Sequence, residues 1–89
     1  MKVIMYGIDS CSNCIEAKKI FEENNINYKY LSFSDSIMNL RRFLEFRDKE
    51  PMFDAMRAEG RVGLPLLQLE DGTLTFSVED VLKKAKESC

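Results

Sequence analysis

The sequence predicts an α/β domain whose elements follow the order βαβ, a helical segment, ββ and α. Short apolar runs rich in branched and aromatic residues mark the strands, and apolar residues at helical spacing mark the segments between them. An Asp-Gly pair at 71 and 72 separates the last two apolar runs, which is typical of a hairpin. Because the chain has 89 residues, we expect residues 1–89 to form a single domain.

The first third of the chain predicts a βαβ unit. Residues 2–8 are almost continuously apolar and predict a central strand buried on both faces. A helix follows, with an apolar stripe that ends at Asn24-Asn25. Residues 26–33 are rich in aromatic and branched residues and predict a second strand. The following Ser34-Asp35-Ser36 cluster can cap the next helix.

Residues 37–60 predict an extended helical segment made of two short helices. We expect a break near Lys49-Glu50, because Pro51 suits the first turn of a new helix, which Gly60 then ends. This segment is most simply a solvated insertion, although it is also a candidate partner-binding ridge. Met38, Met52 and Met56 are expected to fill the core.

The last third predicts two strands and a helix. Residues 64–69 form a strand with a proline near its start, which is where a strand tolerates proline. A two-residue Asp71-Gly72 turn leads into a return strand at 73–76. The closing helix begins at Ser77, which forms a predicted capping box with Asp80.

Composition and charge exclude several classes of function. The chain is 45% hydrophobic and 31% charged, so it has the profile of a soluble globular protein rather than of a disordered one. Its formal net charge of -2, with both signs interleaved, predicts no binding to nucleic acid or to an anionic membrane. The early apolar run is too short for a membrane span or a signal-peptide core. We therefore expect a cytoplasmic monomer.

The sequence Cys11-Ser12-Asn13-Cys14 lies where the first strand gives way to the first helix. Two thiols three positions apart are neighbours on one helical turn, so they can close a disulfide or share a metal ion. In a reducing cytoplasm such a pair indicates catalysis, redox sensing or metal binding. Histidine is absent, which leaves thiolate and carboxylate chemistry.

The two cysteines are expected to differ in role. The first-turn amides and the dipole of the helix would stabilise a thiolate at Cys11, which is our candidate nucleophile. Cys14 lies nearer the apolar stripe and is expected to stay protonated until Cys11 has attacked a disulfide. Cys14 is then the resolving residue. Cys89 is expected to be an incidental exposed thiol, and Asp9 is expected to point to solvent.

The CxxC after the first strand, the proline that opens the third strand and the hairpin before the closing helix together resemble glutaredoxin, the small form of the thioredoxin fold. The resemblance covers essentially the whole chain. It implies a four-stranded mixed sheet of order 2-1-3-4 with helices on both faces and the third strand antiparallel to the first. It also implies a cis Leu64-Pro65 bond facing the dithiol, and a thiol-disulfide oxidoreductase that reduces disulfides or mixed disulfides.

The resemblance also suggests where a substrate would bind. The Leu64 backbone would pair with the substrate chain, as in strand addition. Ser12-Asn13 replaces the Pro-Tyr that glutaredoxins commonly carry. Ser77 opens the last helix, where the resemblance implies contacts with one end of a bound glutathione. The candidate substrate contacts are Ser12, Asn13, Arg61, Leu64, Pro65, Ser77, Glu79 and Asp80. Glutathione, another low-molecular-weight thiol and a disulfide-containing protein all stay open as reaction partners, with no tightly bound cofactor and no metal.

Two other functions stay open. A CxxC supplies two of the four ligands that structural zinc needs, so a metal or iron-sulfur site would require a dimer or added thiols. The chain is also a candidate for a non-catalytic module that binds a partner and uses the dithiol as a redox switch.

Tyr28 and Tyr30 share a strand face and are expected to pack on the sheet. Five arginines are expected to form a solvated helix face: Arg41, Arg42, Arg47, Arg57 and Arg61.

Overall fold

A computed structural model describes residues 2–87 as a four-stranded mixed sheet with helices on both faces. The chain forms, in order, β1 (Lys2–Gly7), α1 (Ser12–Glu23), β2 (Asn27–Ser32), α2 (Ile37–Lys49), a 3-10 turn (Pro51–Phe53), α3 (Asp54–Glu59), β3 (Leu66–Gln68), β4 (Leu74–Thr75) and α4 (Val78–Glu87). The predicted order of elements is confirmed.

The sheet has the order β2-β1-β3-β4, which confirms the predicted 2-1-3-4 arrangement. The strand β1 pairs in parallel with β2, from Lys2 opposite Asn27 to Gly7 opposite Ser32. It pairs antiparallel with β3, and β3 pairs antiparallel with β4. The CxxC segment therefore follows directly after β1, a strand in the middle of the sheet.

The side chains of β1 alternate between two hydrophobic clusters, one on each face of the sheet. Val3 and Met5 join the cluster on the α1 and α4 face, whereas Ile4 and Tyr6 join the cluster on the α2 and α3 face. The first cluster contains the buried residues Val3, Met5, Cys14, Ala17, Phe21, Leu67, Leu69 and Val81. The second contains Tyr6, Phe43, Phe53 and Leu66. Cys14 is thus a member of the core.

The helices of segment 37–60 begin and end as predicted, but part of the predicted apolar face of α2 is exposed. The Ser36 hydroxyl accepts a hydrogen bond from the Met38 N–H and caps α2, and α2 ends before Pro51, as predicted. Gly60 ends α3 with a φ of 70°. Ile37, Met38 and Leu44 are exposed, however, so the prediction that Met38 fills the core is wrong. Phe43 alone among the α2 residues is fully buried.

The last hairpin is shorter and differently closed than predicted. β3 and β4 have three and two residues, and the Leu69 N–H donates to the Thr73 carbonyl at 2.8 Å. The loop therefore contains the three residues 70–72 rather than the two-residue turn. Gly72 is the last residue of a tight turn, in which its N–H donates to the Leu69 carbonyl. Its φ of 91° lies in a region that favours glycine.

The predicted capping box at the start of α4 is wrong in its partners. Asp80 accepts a hydrogen bond from the Thr75 hydroxyl at 2.6 Å, and the Thr75 oxygen accepts the Ser77 N–H at 3.0 Å. The buried Thr75 at the end of β4 thus replaces the reciprocal contact between Ser77 and Asp80. The hydroxyl ties the last strand to the beginning of the last helix.

Two of the arginines bind backbone carbonyls instead of forming a solvated face. Arg47 on α2 donates to the carbonyls of Arg61 and Val62, at 2.8 and 3.2 Å. Arg57 on α3 donates to the Arg47 carbonyl and pairs with Asp54. Arg47 therefore fixes the loop that precedes β3, and these two half-buried side chains are only partly solvated.

Two glycines with nearly equal φ values allow a test of the packing of this loop against Phe53. Gly63 and Gly72 have φ values of 90° and 91°. A Cβ on Gly63 would lie 2.8 Å from Phe53 Cε1, whereas a Cβ on Gly72 would meet nothing within 4 Å. We expect Gly72→Ala to lower the free energy of unfolding by about 1 to 2 kcal/mol. Gly63→Ala should lower it by a further ~1–3 kcal/mol through crowding. Equal losses in urea denaturation would contradict the contact with Phe53.

Candidate functional site

Cys11 caps the first helix with its own thiol. Its backbone is extended, with φ -83° and ψ 115°, and its Sγ accepts a hydrogen bond from the Cys14 N–H at 3.3 Å. The Cys11 N–H in turn donates to the Ile8 carbonyl at 3.1 Å, which holds the turn between β1 and α1. A half-buried sulfur at a helix N-terminus receives both an amide hydrogen bond and the positive end of the helix dipole.

Cys14 lies one turn further on and is fully buried. Burial raises the pKa of the Cys14 thiol to about 12, and its hydrogen bond with the Cys11 side chain acts in the same direction. A backbone hydrogen bond at Ile8 and the Lys18 ammonium oppose this increase in pKa. Both cysteines are free thiols in the structure. The pair therefore consists of one accessible sulfur and one protonated sulfur in the core, as the sequence predicted.

Gly7 provides the space that the Cys14 thiol occupies. A Cβ on this residue would lie 2.7 Å from Cys14 Sγ and 3.2 Å from Tyr30 Cε1. The Gly7 carbonyl also accepts the Phe33 N–H at 3.0 Å, so the strand backbone here cannot move away freely. Sequence reasoning missed this role. The available signal was a glycine inside an apolar strand four residues before the first cysteine.

Tyr30 closes the site on the β2 side. Its hydroxyl donates to Asp9 Oδ1 at 3.0 Å, and the Lys18 Nζ lies 4.3 Å from its ring centroid. Asp9 is exposed, as expected, but it also anchors this ring. Tyr28 packs against Phe21 with ring centroids 5.5 Å apart, which confirms sheet packing for that tyrosine. Tyr30 has a second role, because it borders the dithiol.

The Leu64-Pro65 peptide bond is cis, as the resemblance implied. Leu64 and Cys11 line the same cavity of about 430 Å³, at the junction between the CxxC turn and the loop before β3. The other lining residues are Ile8, Ser10, Asn13, Met56, Arg61, Val62 and Gly63. The loop that Arg47 fixes therefore forms the wall opposite the accessible thiol.

A second, larger groove of about 610 Å³ continues from this cavity between α1 and α4. The two share Asn13, Met56, Arg61 and Leu64. The groove is further lined by Glu16, Ala17, Ile20, Pro65, Phe76, Ser77, Val78, Glu79 and Leu82. A continuous path thus leads from the Cys11 cavity to the beginning of the last helix.

The structure brings together most of the predicted substrate contacts. Those that line the two cavities are Asn13, Arg61, Leu64, Pro65, Ser77 and Glu79. Ser12 and Asp80 line neither, because Ser12 is exposed at the first position of α1 and Asp80 is held by Thr75. Sequence reasoning missed Glu16, Met56 and Phe76. Met56 does pack against the core, as predicted, yet it also lines both cavities.

Arg61, one of the predicted substrate contacts, lines both cavities. Its side chain is exposed and pairs with Glu59, and its backbone N–H donates to the Met56 carbonyl at 2.9 Å.

Among residues 2–87, no group of three or more Cys, Asp or Glu side chains is arranged to hold a metal ion. Cys89 lies outside the described residues. No helix within the described range is long and apolar enough to cross a membrane.

Comparison with known proteins gives a relative without an assigned activity. No protein-family model matches this chain. An uncharacterized protein from Haemophilus influenzae (strain Rd) is 25% identical over 77 residues, which cover 86% of this chain and 90% of that protein. Since the relative's name states no function, the inference of function depends on the geometry of this chain.

The contact between Gly7 and Cys14 predicts a coupling between the two positions. Alanine in a strand is ordinarily more stable than glycine by about 0.5–1 kcal/mol, so a loss of stability in Gly7→Ala would report crowding. We expect Gly7→Ala to lower the free energy of unfolding by about 1–3 kcal/mol. In a Cys14→Ala background the same change should cost at least ~1 kcal/mol less. Equal costs in the two backgrounds, measured by urea denaturation, would contradict the contact.

The raised pKa of Cys14 predicts a loss of stability at alkaline pH. An unfolded cysteine loses its proton near pH 8.5, whereas folded Cys14 keeps its proton until the pH approaches about 12. In this window the folded state binds more protons, so its stability falls as the pH rises. We expect the free energy of unfolding of the reduced protein to decrease more steeply between pH 8.5 and 11 than that of Cys14→Ala. Parallel curves for the two proteins would contradict the shift.

Proposed function

We propose that this protein is a thiol-disulfide oxidoreductase of the glutaredoxin type, with a thioredoxin-like fold. The proposal rests chiefly on one observation, the asymmetry of the dithiol. Cys11 is half-buried at the N-cap of α1 and accepts an amide hydrogen bond, whereas Cys14 is fully buried one turn later. The sheet order 2-1-3-4 and the cis Leu64-Pro65 bond, whose Leu64 lines the Cys11 cavity, support the same assignment.

Cys11 is the proposed nucleophile in the first step. The thiolate is the reactive form, and this sulfur lies at the N-terminus of α1, where it accepts the Cys14 N–H and faces the positive end of the helix dipole. Cys11 Sγ attacks one sulfur of a substrate disulfide, whose S–S bond breaks as the new one forms. The second substrate sulfur leaves as a thiolate and takes a proton. The product is a mixed disulfide between Cys11 and the substrate.

Cys14 is the proposed resolving residue in the second step. Burial is the largest cause of the raised pKa of the Cys14 thiol, and its interaction with the Cys11 thiol is a smaller one, which is lost once Cys11 Sγ is bonded to substrate. The Lys18 ammonium, which lies over the Tyr30 ring, still favours the Cys14 thiolate. Cys14 Sγ then attacks Cys11 Sγ and releases the substrate thiol, which takes the proton that Cys14 loses. Two electrons have passed from the dithiol to the substrate.

A further thiol must return the enzyme to its reduced form. Two equivalents of glutathione or another low-molecular-weight thiol, or one protein dithiol, would reduce the Cys11-Cys14 disulfide and become oxidised in turn. The Leu64 backbone is the proposed guide for the substrate chain, because Leu64 lines the Cys11 cavity and lies outside the strand pairing, which begins at Leu66.

Single cysteine variants test these roles. In a Cys89→Ser background, Cys14→Ser should form a stable mixed disulfide with an excess of a peptide disulfide, because the second step cannot occur. Cys11→Ser should form less than a tenth of that adduct over the same time, since the buried Cys14 stays protonated and inaccessible. Intact mass spectrometry without reductant measures both.

Equal adduct formation by the two variants would contradict the assignment of roles. The parent protein should instead release the peptide thiol and lose two mass units as its disulfide forms. Absence of any adduct and of any internal disulfide in all three proteins would contradict the oxidoreductase itself.

A further inference from the structure

The groove beside the dithiol carries two carboxylates without an opposite charge. Glu16 on α1 and Glu79 in the first turn of α4 both line it and are exposed. Within residues 2–87 neither side chain has an ion pair or a side-chain hydrogen bond. The neighbouring Lys19 and Lys83 do not line the groove.

The one cation of the groove is already paired. The Arg61 guanidinium makes its ion pair with Glu59, a residue that does not line the groove. A ligand in the groove therefore meets two carboxylates and one arginine that is paired with Glu59, so negative charge is in excess. Anionic ligands are disfavoured here, and cationic ligands are favoured.

Apolar side chains, buried or half-buried, line the same groove as the two exposed carboxylates. Ala17, Ile20, Val78 and Leu82 line the α1 and α4 sides of the groove, and Phe76 lies at the approach to α4. Lysine and arginine have a long apolar stem and a charged end, so they suit a groove whose less exposed residues are apolar and whose exposed residues are acidic. The groove's volume of about 610 Å³ is sufficient for more than one side chain.

We propose that this groove selects polypeptide disulfides in which a lysine or arginine lies within a few residues of the reactive cysteine. The inference rests on the proposed function and specifies its substrate class. Glutathione has two carboxylates and one ammonium, so its net charge at neutral pH is negative, and the groove disfavours it relative to a basic peptide. The basic side chain lies along the apolar residues, and its charged end meets Glu16 and Glu79.

Matched peptides test the charge preference. Two peptides of equal length carry one cysteine as a mixed disulfide with nitrothiobenzoate, and either lysine or glutamate occupies the two positions that follow the cysteine. The absorbance of released nitrothiobenzoate gives the second-order rate with each peptide, corrected by the rate with dithiothreitol alone. We expect the protein to react about 3 to 10 times faster with the lysine peptide at low salt. The ratio should approach one at high salt.

Charge-reversal variants locate the preference. Glu16→Lys should reduce the ratio at least threefold, and Glu79→Gln should reduce it by a smaller factor. Glu23→Lys is the matched control, because Glu23 is exposed at the end of α1 and does not line the groove, while the net charge changes as in Glu16→Lys. The control should keep the ratio of the parent protein.

The outcomes separate the two proposals. Equal rates with both peptides, or an equal loss of preference in Glu23→Lys, would overturn the charge selection and leave the oxidoreductase in place. A faster reaction with glutathione mixed disulfide than with the lysine peptide would also overturn it. No reaction with any disulfide would overturn the proposed function and the selection together.

Discussion

The site depends on the burial of one sulfur atom against a strand that has no side chain to obstruct it. Cys14 Sγ occupies the space beside Gly7, and the Tyr30 ring closes the same space from β2. This contact sets the distance between β1 and the first turn of α1. It places Cys11 at the helix N-cap, where its sulfur accepts the Cys14 N–H. The difference between the two thiols, one accessible and one protonated in the core, follows from this contact because burial disfavours the charged form.

The opposite wall of the site comes from the other face of the sheet. Arg47 lies on α2, yet its guanidinium binds the carbonyls of the loop that carries Arg61 and Val62. Gly63 then passes close to Phe53, and Leu64 lines the Cys11 cavity while Pro65 lines the adjoining groove. The extended helical segment is therefore part of the architecture of the site. Arg47, on one face of the sheet, thus positions the loop that lines the Cys11 cavity.

The groove adds a charge pattern to the apolar surface that the fold provides. Helices α1 and α4 each contribute apolar residues to the floor and one carboxylate to the margin. Arg61, the cation at the rim, is compensated by Glu59. In the proposed reaction, thiol chemistry and substrate choice thus depend on different parts of the site. The proposed nucleophile lies at the N-terminus of one helix, and the proposed preference for a basic partner depends on side chains of two helices.

The sequence by itself determined the order of elements, the CxxC at a strand-to-helix junction and the different burial of its two cysteines, because these follow from periodicity and from positions along one helix. The resemblance to glutaredoxin added the sheet order and the cis proline. Only the tertiary structure decided which distant residues meet. Arg47 binds carbonyls 14 and 15 positions away, Thr75 replaces the capping box, and Glu16 faces the same groove as Glu79. Such contacts join separate elements, and their geometry depends on how the helices are placed on the sheet, which no local pattern specifies.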